Sequence, residues 1–296
     1  MTQSGFVHLH VHSEYSISNG LLTIEQMIAK AQQDNMQAVA LTDLHNTYAS
    51  VKFYKKAIAA KIKPVIGVEL RIVDDVSQEE KKSPHKGRMA TQGVVYKLLV
   101  YCQNQQGYLN VCDLLTQSYQ TGQVHGIAYV NRSWLTAENT QGLIAVEPGV
   151  EGFCAQTKVA SQAALEPWLE LFPNRYYLGL HRLSKAETGQ WEQQLHKLCR
   201  EKPLPIVALN AVCFADKSDH QAHEVRVCIQ EGQVLEAREG DAYSSLQHWR
   251  SQASMQKLFA DIPEAIENSV AIAKRCNLHL PIGKVCLPDF PLPEGQ

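Results

Sequence analysis

The chain has 296 residues, 45% of them hydrophobic and 20% charged, with a formal net charge of −2, an ordinary composition for a soluble globular protein of one large domain or two small ones. No basic excess or stripe is present, which argues against a chain that grips DNA by charge through this segment alone. The eight cysteines are scattered with no Cys-x-x-Cys pair, so buried reduced thiols are expected rather than a disulfide framework.

Residues Met1–Gly5 have neither a basic region nor an apolar core and carry no export signal. The longest apolar runs, such as Gly93–Cys102, are interrupted by Lys97 and are too short to span a bilayer. A cytoplasmic location is expected.

Strand-like and helix-like segments alternate along the chain. Residues 6–12 read as a strand with histidines at His8, His10 and His12, and alternation predicts all three on one face. Thr23-Ile24-Glu25-Gln26 offers a capping box for a helix with apolar Ile24, Met27, Ile28 and Ala31. A buried strand at Ala38–Thr42, a helix at 47–60 and a strand at Pro64–Leu70 follow. The polar stretch Asp74–Gln92 reads as an exposed loop or hairpin.

Strand signals return at 94–101, 142–146, 176–180 and 204–209, and helices at 105–119, 161–171, 185–200 and 218–230. Ser184-Lys185-Ala186-Glu187 is a second capping box, and Pro263-Glu264 opens a helix through Cys276. About seven strands interleaved with helices predict a parallel α/β sheet closed into a barrel. An open doubly wound sheet ranks second, because no Gly-x-Gly-x-x-Gly turn follows the first strand. Residues 281–296 contain Pro281, Pro288, Pro291 and Pro293 and read as a linker leaving a domain of residues 1–280. No repeat at solenoid or propeller periods is present.

Functional side chains of an α/β barrel sit at the C-terminal ends of its strands. Here those positions are His10, His12, Asp43, His45, Glu69, Lys97, Glu147, His181, Asn210 and Cys213. Imidazoles and carboxylates at successive strand ends can build a metal-dependent hydrolase centre. The bland alternative is a set of satisfied polar groups plugging a barrel mouth. For Cys102 and Cys213 the simplest role is that of small buried hydrophobes, and for Glu224 and Arg226 that of solvated or salt-bridged helix residues.

The run Phe6-Val7-His8-Leu9-His10-Val11-His12-Ser13-Glu14-Tyr15-Ser16 resembles the opening motif of the PHP (polymerase and histidinol phosphatase) family. Ala40-Leu41-Thr42-Asp43, Val51-Lys52-Phe53-Tyr54, Ile62–Gly67, Ala222–Arg226, Leu258–Ala265 and Ile272–Asn277 extend the likeness, in particular to PHP domains that open the alpha subunits of bacterial DNA polymerase III. The resemblance implies an α/β fold, a PHP-type distorted (β/α)7 TIM-like barrel, with the linker running towards a polymerase palm domain.

Position by position, the family's opening His-x-His corresponds to His10 and His12, and its carboxylate to Glu69. His8 is expected to be packed or hydrogen-bonded. Elsewhere the pattern fails: Asn19 stands for an aspartate, Leu44 for a histidine, Lys97 for a strand histidine, a cysteine ligand falls near Gly149, and Ala211 and Cys213 stand for a late Asp-x-His. Leucine and alanine cannot coordinate, and an ammonium repels a cation.

The resemblance therefore implies no catalytic residues and no metal in this segment, with His10, His12 and Glu69 as remnant candidates for a residual Zn²⁺ or Mn²⁺. Mg²⁺ and DNA belong to the parent polymerase. The implied partners are the proofreading exonuclease (epsilon) subunit and the rest of the DNA polymerase III holoenzyme. The alternative is a metal-dependent phosphoesterase, a phosphatase or 3′–5′ exonuclease, using His10, His12, Glu69 and one of Asp43 or His45. A shift at an irregular strand end would be needed for His45 to replace the ligand lost at Leu44. Protonating both His10 and His12 would set like charges close together, so stability is expected to fall as pH falls through the histidine range.

Overall fold

The computed structural model describes residues 5–74, 94–158, 161–183, 185–201, 203–235, 243–283 and 285. Its strands are β1 (Ala38–Leu41), β2 (Lys63–Val73), β3 (Val95–Cys102), β4 (Gln123–Val124), β5 (Ile127–Ala128), β6 (Val130–Asn131), β7 (Leu143–Glu147), β8 (Tyr176–His181) and β9 (Ile206–Leu209). Its helices are α1 (Ile24–Gln33), α2 (Ser50–Ala59), α3 (Gln105–Thr121), α4 (Phe153–Gln156), α5 (Glu166–Leu171), α6 (Lys185–Glu201), α7 (His220–Glu231), α8 (Gln252–Leu258) and α9 (Pro263–Arg275).

Local chemistry sets several of these boundaries. Thr23 and Gln26 form the expected capping box, and α1 buries Ile24, Met27, Ile28 and Ala31 at helical spacing. Pro263 occupies the first turn of α9, where its missing N–H costs nothing. Every residue of β1, β7 and β8 is buried, as strands covered on both faces must be. The Ser184 capping box lies outside the described residues, as do 75–92 of the polar stretch and 284 and 286–296 of the proline-rich one.

The main sheet runs β1-β2-β3-β7-β8-β9, with β6 added beside β2. Residues 7–12 close it into a barrel. On one side Ala40 N–H donates to His8 O and Thr42 N–H to Val11 O; on the other His12 N–H donates to Val212 O and Val212 N–H to His10 O. A ring of seven segments results, with apolar Val7, Leu9, Val65, Leu99, Tyr101, Val146 and Leu209 packed in one inner cluster. The larger cluster, with Phe6, Val11, Val68, Leu70, Trp168 and Trp191, lies between the sheet and the helices. The fold is a distorted α/β barrel.

Two expectations need correction. The sheet is not all parallel: β3 pairs antiparallel with both β2 and β7. A parallel return needs a long crossover, whereas an antiparallel one does not, and the polar sequence between β2 and β3 carries no amphipathic helical pattern. The three alternate histidines also do not share a face. Val7 and Leu9 belong to the inner cluster but Val11 to the outer one, so alternation breaks between them. The cause is a tertiary contact: inside the barrel the Tyr101 hydroxyl donates to Leu9 O at 2.9 Å. That bond draws the carbonyl out of the ladder, and the segment pairs only as isolated bridges rather than as a continuous strand.

Candidate metal centre

Because of that irregularity His10 and His12 reach the barrel mouth while His8 does not. His8 packs outside, its ring 4.3 Å from that of Trp249, and its Nε2 donates to Arg250 O at 2.8 Å. Burial lowers its pKa to about 4, so it is neutral.

At the mouth, Glu69 on β2 is the centre of a polar network. His12 Nε2 lies 2.7 Å from Glu69 Oε2 and His10 Nε2 lies 3.3 Å from Oε1, all three residues being buried. His10 Nδ1 in turn contacts His181 Nε2, at the end of β8, at 3.1 Å. Lys97 on β3 places its ammonium 3.6 Å from Glu69 Oε1 and 2.7 Å from Glu151 Oε1. Glu151 belongs to a 3-10 turn, Gly149–Glu151, just after β7.

Electrostatics divide these groups. Burial opposes the charge on His12, but the Glu69 carboxylate and the Cys213 side chain outweigh it and raise the imidazole to about 10. Burial dominates at His10 and His181, and both pKa values fall. Burial also works against the Glu69 carboxylate, yet Lys97, His12 and His10 together hold it well below the usual range. The network is thus a buried carboxylate between two cations, His12 and Lys97, with His10 and His181 neutral.

The other expected positions are elsewhere. Asp43 is buried but turned to the loop after His12: its Oδ1 accepts from Ser13 N–H at 2.7 Å and Ser16 Oγ–H at 2.6 Å. His45, at φ 57°, faces away from the mouth. Its Nε2 meets Ser118 Oγ at 2.9 Å, and its Nδ1 accepts from Arg71 N–H at 3.2 Å. Since Ser118 Oγ–H is given to Leu115 O, the serine can only accept, so His45 carries its proton on Nε2. Burial lowers its pKa to about 3. His45 does not replace the ligand missing at Leu44.

Glu147 is buried under the barrel wall, its carboxylate accepting from the Tyr176 hydroxyl and from Cys154 N–H. Asn210 donates to His248 O at 2.9 Å. Gly149 has φ 60°, and a Cβ there would fall 2.8 Å from His181 Nδ1, so no ligating side chain fits at that position.

Cys102 and Cys213 are buried as expected, though Cys213 also touches His12. Of the two roles expected for Glu224, solvated or salt-bridged, the structure has the second: it is buried, its Oε1 lies 3.9 Å from His220 Nε2 and accepts from Tyr243 N–H at 3.0 Å, because the returning chain at residue 243 covers this face of α7. The Asn19 side chain, at the family's aspartate position, donates to the Tyr243 hydroxyl. Glu151 was missed by sequence reasoning. Only its place shortly after a strand could have marked it.

Among the described residues one trio has metal-ligand spacing: His10, His12 and Glu69 offer donor atoms within 4.8 Å of one another. Three such donors suit one zinc ion with an open position. They do not suit a multi-ion centre, for Leu44 and Ala211 offer no donor and Lys97 already shares the only carboxylate of the trio. With Lys97 in place, the residues present do not fit the family's metals.

The PHP domain family profile matches residues 8–183. DNA polymerase III subunit alpha of Pseudomonas fluorescens is 36% identical over 302 residues, covering 99% of this chain and 24% of the relative. The same subunit of Pseudomonas aeruginosa PAO1 is 37% identical over 300 residues, covering 98% and 24%; that of Escherichia coli K12 is 36% identical over 297 residues, with the same coverage. The chain spans about a quarter of the length of the curated relatives it matches.

Proposed function

Because this chain belongs to the PHP domain family, we propose that it is a non-catalytic PHP unit of a replicative polymerase alpha subunit. Residues 1–280 form that unit, and Leu280 is the last buried apolar residue among those described. Its role is to support the polymerase body and to dock the separate proofreading exonuclease (epsilon) subunit within the DNA polymerase III holoenzyme. DNA and Mg²⁺ are handled by the polymerase active site of the parent subunit. The location is cytoplasmic, and no helix among the described residues is long and apolar enough to cross a membrane.

One observation carries the reading. The Lys97 ammonium stands 3.6 Å from Glu69, the single carboxylate of the metal-type trio. A divalent cation bound there would meet a positive charge at close range, and at an effective dielectric of about 20 that repulsion amounts to several kcal/mol. The convergence of His10, His12 and Glu69 supports the rival, a phosphoesterase working with a single ion.

Elemental analysis after loading with Zn²⁺ and Mn²⁺, beside phosphatase and 3′–5′ exonuclease assays, separates the two. The scaffold reading expects substoichiometric metal, no turnover, and capture of the exonuclease subunit by the purified protein. Stoichiometric metal with turnover that His12→Ala abolishes would make the domain an enzyme.

A further inference from the structure

We propose that Lys97 is a tethered replacement for a divalent cation: its ammonium, latched by Glu151, supplies the positive charge that Glu69, His10 and His12 would otherwise take from a metal ion, and removing it uncovers a site for one such ion. The inference rests on the scaffold reading and says how the metal came to be dispensable.

Geometry argues for it. Lys97 sits opposite Arg71 in the β2–β3 ladder, on the same side of β3 as Leu99 and Tyr101, which pack in the barrel interior. Its side chain therefore rises along the inner wall, only 22% exposed, and delivers Nζ between Glu69 and Glu151. A zinc ion about 2 Å from Glu69 Oε1 would lie within roughly 6 Å of that nitrogen, too close for both charges to be held.

The latch has its own structural cause. Gly149, at φ 60°, turns the chain tightly against His181, and two residues on Glu151 comes over the mouth with its side chain 46% exposed. Lys97 thus has one buried partner, whose charge it shares with His12, and one partner at the surface, which holds it in place. A bound metal neutralises and cross-links its ligands in the same way, but it can dissociate. A lysine cannot.

The test uses the whole chain with Zn²⁺ as probe, read by equilibrium dialysis and by thermal denaturation with Zn²⁺ or with a chelator. The unmodified protein should show neither zinc uptake nor any change in Tm. Lys97→Met should melt lower in chelator, take up about one Zn²⁺ per chain and regain Tm when zinc is added. The Lys97→Met/His12→Ala variant should lose that uptake, and Lys97→Arg should keep the protein zinc-free.

Glu151→Gln frees the latch without touching the buried trio, so it should raise zinc affinity by on the order of tenfold. It decides the matter if Lys97→Met fails to fold. Zinc uptake at unit stoichiometry by the unmodified protein would overturn the proposal, as would a folded Lys97→Met, or failing that Glu151→Gln, with no gain of zinc. Either result would leave capture of the exonuclease subunit untouched, whereas phosphoester turnover by the unmodified protein would sink the scaffold reading itself.

Discussion

Glu69 is the residue on which the mouth depends, because it is the one anion buried among Lys97, His12 and His10. Replacing it with glutamine would strip the Lys97 ammonium of its buried partner and leave it with Glu151 alone, and burial would then favour neutral His12, whose charge Glu69 sustains. Breaking one partner out of a buried ion pair costs about 3–5 kcal/mol, whereas removing both charges together is often nearly neutral. Glu69→Gln should therefore lower the unfolding free energy in urea by about that amount, and Glu69→Gln/Lys97→Met should recover most of it. Equal or additive losses in the single and double variants would show that the two groups do not interact. His45 shows the opposite behaviour of a buried polar residue: both ring nitrogens have partners of the right sense, so it stays neutral and structural despite lying two residues after Asp43.

Between elements, one dense polar tie joins the end of β8 to the turn between α8 and α9. The Arg182 guanidinium grips Asp261 with two bonds of 2.6 and 2.7 Å, meets Glu192 at 2.7 Å, donates to Leu258 O, and lies 4.8 Å from the Phe259 ring centre. Lysine offers neither the fork nor the flat face, so Arg182→Lys should cost about 1–2 kcal/mol in urea unfolding, Asp261 being largely exposed. A midpoint unchanged within error would make the fork incidental. Gly179 sits in mid-β8, where a Cβ would come within 2.2 Å of Glu147 O and 2.4 Å of Leu209 Cδ1, so Gly179→Ala should be poorly folded, as the yield of soluble protein would report. Elements of this kind differ in how far the sequence announces them. The α1 capping box, the burial spacing of α9 and the apolar runs of β1, β7 and β8 are local patterns, and each is where its residues say. The direction of β3 was hidden because strand pattern alone has no sense of up or down. The separation of His8 from His10 was hidden because it depends on a hydroxyl from Tyr101, far away in sequence. Of the mouth, His10, His12, Glu69 and His181 were legible as residues at or near strand ends; Lys97 was singled out on the same ground, but it lies near the start of β3 and reaches the mouth because that strand runs antiparallel; Glu151 was not legible, since a turn decides where it points.

Across the whole molecule, these environments make stability depend on pH in opposite senses on the two sides of neutrality. On the acid side, His8 falls from 6.5 to about 4 and His45 to about 3 on folding, chiefly through burial. A histidine whose pKa is lowered by folding stabilises the folded state above 6.5 and loses that contribution as pH drops towards the folded value. A tenfold weakening of proton binding corresponds to about 1.4 kcal/mol, so these two residues alone account for several kcal/mol between neutrality and about pH 4. Burial lowers His10 and His181 as well, and the depressed Glu69 carboxylate adds its loss below its ordinary value of 4.5. Glu147 and Asp43 are raised by burial and act in the opposite direction, blunting the acid limb without reversing it. The sequence pointed to His10 and His12 for acid sensitivity, but the source differs: His12 is already charged at neutral pH as the partner of Glu69. Its pKa is raised to about 10, so its contribution is complete below 6.5 and is lost as pH rises towards 10. Unfolding free energy measured in urea should therefore peak near pH 6–7 and fall on both sides. His45→Gln should flatten the acid limb, because the neutral amide keeps a donor for Ser118 and cannot take a proton, while His12→Gln should flatten the alkaline one. A curve level from pH 4 to 7 would mean that water reaches these histidines and that the barrel is less tightly closed around residues 7–12 than its hydrogen bonds imply.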